Sequence, residues 1–161
     1  MKLWQRRTLG ILSIGGGCIG ITAATGLLAS QNLWLNNAFI IMAILLYAWG
    51  LWCGAMLYEG REDWLNKNLI FWAIQIPSFS SPYFSYAFSS GAEFINTIGL
   101  QSSNDRLDYS FQLGSHFKYN VIDANEPVSV GVNLFAVIVV LFLSSLIKNM
   151  RSLKKQPGAS A

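Results

Sequence analysis

Three long apolar runs divide the chain and predict membrane-spanning helices. They cover Thr8–Ala29, Asn37–Tyr58 and Val128–Ile147, and none contains a charged residue. Each has about 20 residues, enough for an α-helix to cross a hydrocarbon core of about 30 Å. We therefore expect three strong transmembrane helices, the first an uncleaved helix, with a cleaved signal peptide as the alternative.

A weaker apolar stretch, Trp64–Ser81, follows the second run. As one helix it would cover roughly 27 Å at about 1.5 Å per residue, which is just enough to cross. Asp63 is a candidate N-cap, and Pro77 near the far end is tolerable in a membrane bundle. We expect a short transmembrane helix here, and the alternative is an amphipathic helix lying flat in the interface.

The distribution of charge favours the crossing. Basic residues open and close the chain, at Lys2, Arg6 and Arg7 and at Lys148, Arg151, Lys154 and Lys155. Short basic segments beside membrane spans stay in the cytoplasm, so both ends are expected there and the number of crossings is even. The sequence thus predicts four helices of a multi-pass protein in a bacterial inner membrane. Its basic tail, residues 148–161, is expected to be flexible.

Between residues 82 and 127 the hydrophobic period changes from that of a helix to two. Aromatic and aliphatic residues alternate with polar ones around Phe84–Phe88, Leu107–Leu113 and Phe117–Val121, with Ala92–Ile98 as a less regular candidate. Alternation of this kind is typical of half-buried strands. We expect an antiparallel, periplasmic β insert of three or four strands. Its candidate interaction surface is Phe84, Tyr86, Phe88, Tyr109, Phe111, Phe117 and Tyr119.

Composition supports a membrane protein with an α+β fold. Hydrophobic residues make up 53% of the chain and charged residues 12%, whereas soluble domains average about 25% charged residues. The basic clusters adjoin apolar runs, so they indicate contact with anionic lipid rather than with nucleic acid.

Small residues recur every four positions on the first two helices, at Gly16, Gly20 and Ala24 and at Gly50 and Gly54. Such stripes let helix backbones approach closely in lipid. We expect these two helices to pack against each other, and homodimerisation through one stripe is the alternative.

Chemistry-bearing residues are sparse in the predicted membrane segments. Gln75 and Asn133 are the polar candidates there and are expected to form interhelical hydrogen bonds. Cys18 and Cys53 lack the C-x-x-C spacing of thiol redox enzymes, and His116, the single histidine, is expected in a loop between strands. We therefore expect no catalytic, metal or cofactor site.

These features favour a non-enzymatic function. The expected role is that of a subunit, assembly factor or immunity-type partner of an envelope complex. The β insert would bind another membrane or periplasmic protein, or a second copy in a homo-oligomer. The alternative is a small oligomeric pore or facilitator packed through the glycine stripes.

Overall fold

The computed structural model describes residues 3–30, 34–99, 107–121 and 127–154. Three helices come first along the chain, a four-stranded antiparallel sheet follows, and a last helix ends the fold. The fold is therefore α+β. The helices are α1 (Leu3–Ser30), α2 (Trp34–Glu59), α3 (Leu65–Ala73, after a 3₁₀ turn at Glu62–Trp64) and α4 (Leu134–Lys154). The strands are β1 (Pro77–Ser80), β2 (Phe84–Gly99), β3 (Leu107–Val121) and β4 (Ser129–Asn133).

Three of the helices are long and apolar enough to cross a membrane, over Leu3–Ala29, Asn37–Glu59 and Leu134–Ser152. α1 and α2 pack closely along their length. A Cβ atom added to Gly54 would lie 2.9 Å from the carbonyl oxygen of Gly10, so glycine is what allows the two backbones to meet. The first two helices therefore pack against each other in the fold.

The expected fourth membrane helix over Trp64–Ser81 is not formed, and the expectation needs correction. Only nine residues, Leu65–Ala73, are α-helical, which gives a length of about 14 Å. After Ile76 the chain is extended, and Pro77–Ser80 pairs with β4 from Pro77↔Val132 to Ser80↔Ser129. The ring of Pro77 cannot supply an N–H to a helix, but it is tolerated at the first residue of a strand.

The last apolar run also divides. Residues Ser129–Asn133 form β4, and α4 starts at Leu134 rather than at Val128. Val130 and Val132 alternate with Ser129 and Gly131, a period of two that favours a strand. The sheet therefore extends from Pro77 to Asn133, beyond the expected bounds 82–127.

The β2–β3 hairpin is longer than expected and carries a bend. β2 pairs with β3 in unbroken register from Phe84↔Val121 to Ile98↔Leu107, so the two expected pieces of each strand are continuous. Gly91 and Gly114 lie opposite each other in this register, with φ of 99° and 133°. L side chains rarely adopt such φ values, and glycine permits the bend in both strands at one level.

Because of this bend, β2 has different neighbours before and after Gly91. Before it, Tyr86 pairs with Phe79 of β1. After it, Ile95–Gly99 pairs with β4. β1 and β4 also pair with each other, so the sheet, of order β1-β4-β2-β3, curls until β1 meets β2.

The hairpin lies along α1 and α2 and reaches their middle. Gly16, the central residue of the α1 span, touches Ser90 and Gly91. Tyr47, one residue from the centre of the α2 span, donates a hydrogen bond to the carbonyl oxygen of Ser89 (3.3 Å). Nearer the start of α2, the ring of Phe39 stacks on Tyr119 with ring centroids 5.0 Å apart.

α3 and α4 pack beside the other half of the α1–α2 pair. Phe71 of α3 fits against Gly50 of α2, and Trp72 contacts Phe135 at the start of α4 with ring centroids 5.8 Å apart. α4 thus begins near the middle of α2. It then runs past the start of α1, where the two helices line a cavity of about 220 Å³ with Trp4, Leu9, Ile138 and Phe142 among its walls. The start of α1 and the end of α4 therefore lie at the same end of the fold.

Candidate functional site

The most exposed large apolar residues of the sheet lie on β3 in the outer section of the hairpin, beyond the bend. We call this section the distal arm and define it as Ala92–Gly99 of β2 with Leu107–Leu113 of β3. Tyr109, Phe111 and Leu113 are 58%, 64% and 69% exposed. Ser110 and Gln112, on the opposite face, are also exposed. Both faces of β3 are therefore accessible along this arm, and one of them is apolar.

β3 is also an edge strand. Among the described residues it pairs with β2 and with no other strand. Such an edge is a template for an additional strand, because main-chain hydrogen bonds supply affinity and the alternating side chains supply specificity. The ring of Tyr109 is stacked on Phe94 of β2, with ring centroids 6.3 Å apart and an interplanar angle of 20°. That stack holds the outer section of β3 in a defined position.

The seven aromatic residues of the expected interaction surface do not form one surface. Tyr109 and Phe111 are exposed on the distal arm, and Phe84 is 39% exposed at the start of β2. The other four, Tyr86, Phe88, Phe117 and Tyr119, belong to the section before the bend and pack against the helices. Alternation marks all seven aromatic residues in the same way. The section of the hairpin before the bend, however, packs its apolar face against α1, α2 and α3.

The section of the hairpin before the bend, which we call the packed section, is held in place by aromatic contacts and by the hydroxyl group of one tyrosine. Phe88 is 3% exposed and lies against the rings of Tyr47, Phe71 and Phe117. The hydroxyl of Tyr86 donates to the carbonyl oxygen of Ile74 (3.1 Å), and burial raises the pKa of Tyr86. The apolar face of this half of the hairpin is therefore part of the core.

A polar junction surrounds the bend, where residues 89–94 of β2 meet α1, α2, Gln75 just after α3, and Asn133 at the start of α4. Gln75, just after α3, accepts a hydrogen bond from the backbone N–H of Ser90 (2.8 Å) and donates to the carbonyl oxygen of Phe71 (3.3 Å). Gln75 is 1% exposed. It joins the end of a helix to the sheet, whereas an interhelical bond was expected.

Asn133, the last residue of β4, is the N-cap of α4. Its Oδ1 accepts hydrogen bonds from the backbone N–H groups of Phe135 (3.1 Å) and Ala136 (3.3 Å), and also from that of Phe94 (3.1 Å). The first N–H groups of a helix have no intrahelical partner, and Asn is among the best residues at satisfying them. Asn133 thereby fixes the start of α4 against β2.

Glu93 is the residue of this junction that the sequence did not single out. It is 3% exposed, and its carboxyl group interacts electrostatically with Tyr47. No lysine or arginine of the described residues forms an ion pair with it. The junction also holds the hydroxyl groups of Ser89 and Ser90, which are buried. Neither hydroxyl group makes a hydrogen bond with another described residue. The alternation around Ala92–Ile98 was too irregular to indicate which side Glu93 would face.

The small residues of the two helical stripes are used inside the chain. Gly16 contacts the hairpin at the bend, and Gly20 contacts the ring of Tyr47. Gly54 contacts Gly10 and Ser13 of α1, and Gly50 contacts Phe71 of α3. Ala24 is 5% exposed. The stripes therefore contribute partly to packing between α1 and α2 and partly to packing of these two helices against the sheet and α3.

The described residues assemble no metal-ligating group of three His, Cys, Asp or Glu side chains. Cys18 is exposed and Cys53 is buried, and both are free thiols. His116 is in the middle of β3, opposite Ser89, and not in a loop as expected. The distal arm with the open edge of β3 is thus the best candidate for a functional site.

Comparison with known proteins adds no assignment. No protein-family model matches the chain, and no curated protein or solved structure is significantly similar to it.

Proposed function

We propose that this chain is an integral protein of the bacterial inner membrane that acts without catalysis, as an interaction subunit, assembly factor or immunity-type partner of an envelope complex. The distal arm of the hairpin is its binding surface. The observation that carries the proposal is the combination of exposed Tyr109, Phe111 and Leu113 with an edge strand that pairs on one side among the described residues.

Membrane insertion is supported by the outward faces of the helices. Ile11 of α1, Leu45 of α2, and Ile138 and Leu141 of α4 are each between 60% and 65% exposed. A soluble monomer rarely exposes apolar surface on this scale, whereas lipid covers it without cost. We place α1 and α2 across the bilayer.

The rest of the chain makes two further crossings, each by a helix and a strand in succession. α3 followed by β1 leads away from the end where α1 starts, and β4 followed by α4 leads back. Extended backbone at membrane depth is tolerated where protein buries it. β1 and β4 pair with each other and with β2, and these pairings cover part of their backbone. The number of crossings is then even.

We place both chain ends in the cytoplasm and the sheet toward the periplasm. The charges of the described helices gather at one end of the fold, where Arg7 lies over the ring of Tyr58 and Arg61 forms a surface ion pair with Glu59 (3.8 Å). Positively charged segments beside spans are retained in the cytoplasm. The distal arm is then directed away from the cytoplasm, toward other envelope proteins.

The test is co-purification after crosslinking in cells, with Phe111→Asp as the probe. An aspartate at this exposed position removes the apolar anchor, so we expect at least about a tenfold loss of bound protein. Gln112→Asp is the matched control, since Gln112 is the exposed neighbour on the opposite face of β3. It should leave binding and protein level unchanged. Recovery of the wild-type chain only as a monomer with no bound protein would overturn the proposal.

The rival hypothesis, an oligomeric pore, requires the glycine stripes to face a second copy. Gly16, Gly20, Gly50 and Gly54 instead contact Ser90, Tyr47, Phe71 and Ser13 of the same chain. Since no observation favours the pore, we do not propose it.

A further inference from the structure

The middle of β3 lies level with the centre of the α1 span. Ser115 donates a hydrogen bond from its hydroxyl group to the carbonyl oxygen of Gly16, the central residue of the α1 span. Backbone N–H and C=O groups that face lipid without partners are strongly unfavourable, and open sheet edges are therefore covered in membrane proteins. α1 packs against β3 at this level. With α1 across the bilayer, a further strand is the cover that would pair the rest of the β3 edge.

The apolar positions of β3 are symmetric about Gly114 from the third residue outward, although Leu113 corresponds to Ser115. Reading outward in both directions from this glycine, Phe111 corresponds to Phe117, Tyr109 to Tyr119 and Leu107 to Val121. The bend at Gly114 is also the midpoint of the strand, which runs from Leu107 to Val121. A two-fold axis through Gly114 would therefore superimpose both the bend and the apolar positions of one strand on those of another.

We propose that a second copy of this chain pairs with the edge of β3, β3 against β3, antiparallel, with the two-fold axis at Gly114. In this register Phe111 lies opposite Phe117 of the second copy, and Tyr109 lies opposite Tyr119 of the second copy. Such a contact is isologous, so it closes as a dimer and leaves no further β3 edge to extend. It joins the two four-stranded sheets into one of eight strands.

The contact uses what the monomer leaves exposed. Phe111 and Leu113 are 64% and 69% exposed, and in the dimer they lie beside the section of the second copy that packs on its α1 and α2. Directly opposed aromatic residues are favourable cross-strand pairs in antiparallel sheets. The inference rests on the proposed function, because it names the occupant of the surface assigned there.

The experiment is thiol crosslinking between two differently tagged copies in native membranes, with Cys18 and Cys53 replaced by serine and alanine. One copy carries Ser110→Cys and the other Lys118→Cys, positions that face each other in the proposed register and are both exposed. The control pair is Ser110→Cys with Gln112→Cys. Its thiols would be six residues out of register, about 20 Å apart at 3.3 Å per residue. We expect at least tenfold more crosslinked product from the first pair than from the control.

Each result is decisive. Equal crosslinking of the two pairs, or crosslinking of the control alone, overturns the register. If neither pair crosslinks while the wild-type chain co-purifies with a different protein, the dimer is wrong and the proposed function stands. If neither pair crosslinks and the wild-type chain carries no other protein, both proposals fail. Adding Phe111→Asp to the Ser110→Cys copy should abolish the product, and a product that persists also counts against the dimer.

Discussion

Gly16, at the centre of the α1 span, lies against Gly91 at the bend of the hairpin. A Cβ atom at position 16 would collide with the backbone nitrogen of Gly91 and come within 2.6 Å of the Oγ of Ser90. The carbonyl oxygen of Gly16 accepts the hydrogen bond from Ser115 of β3. One residue of a membrane-length helix therefore contacts both strands of the hairpin.

The first prediction concerns this contact. Gly16→Ala inserts a methyl group where backbone atoms leave no room, so it should lower the free energy of unfolding by about 1–3 kcal/mol. Gly15→Ala is the control, because nothing lies within 4 Å of a Cβ atom at that position. Alanine has the better helix propensity, so the control should be neutral or stabilising. Denaturation in detergent, followed by tryptophan fluorescence, measures both, and equal stability of the two variants would contradict the contact.

The second prediction separates backbone conformation from close packing. Gly91→Ala and Gly114→Ala both place a side chain at positive φ, which costs on the order of 1–3 kcal/mol. At position 91 the Cβ atom would also lie 2.7 Å from the carbonyl oxygen of Leu12, whereas at position 114 it meets nothing within 4 Å. We expect Gly91→Ala to be the more destabilising of the two in the same denaturation assay. The reverse order would place the bend away from α1.

The third prediction tests the start of α4. Asn133→Ala removes the acceptor for the N–H groups of Phe135, Ala136 and Phe94, and loss of an N-cap costs about 0.5–2 kcal/mol. Asn133→Ser should recover part of this stability, because serine also caps helices well. Thermal unfolding followed by circular dichroism compares the variants. A fully stable alanine variant would mean that α4 continues through position 133.

The fourth prediction tests the link between Gln75 and the sheet. Gln75→Leu leaves the buried N–H of Ser90 without its acceptor, which should cost about 1–3 kcal/mol. Asn66→Leu, at an exposed position of α3, is the control and should change stability little. Hydrogen exchange of the Ser90 amide should be faster in Gln75→Leu than in the wild-type protein. Unchanged exchange would show that Ser90 has another partner.

Periodicity identified the long elements because their signals are strong. Charge-free runs of about 20 residues have few alternatives to a helix, and the alternation from Leu107 to Leu113 indicated a strand that the structure contains. What was missed lies where short apolar segments adjoin longer ones. Pro77–Ser80 and Ser129–Asn133 are each five residues or fewer, and so short an alternation beside a long apolar run is easily read as part of a helix.

The functional site could be predicted only in part, for a related reason. The alternation identified Tyr109 and Phe111 together with Phe88 and Phe117, but period two alone does not say which section of a hairpin is covered by helices. Glu93 lies just before residues 95–99, whose pairing with β4 brings together positions 30 to 38 residues apart, from Gly99↔Ser129 to Ile95↔Asn133. Such contacts leave no trace in local periodicity.

The central structural claim is that the hairpin packs along the membrane helices and reaches their middle, rather than standing outside the membrane as a separate domain. The most direct measurement is crosslinking of Tyr47→Cys with Phe88→Cys in native membranes by a short bifunctional thiol reagent. The two cysteines replace rings whose centroids are 5.1 Å apart. We predict an intramolecular crosslink for this pair and none for Tyr47→Cys with the exposed Phe111→Cys. No crosslink between positions 47 and 88, in a protein that still resists alkaline extraction from the membrane, would contradict the claim.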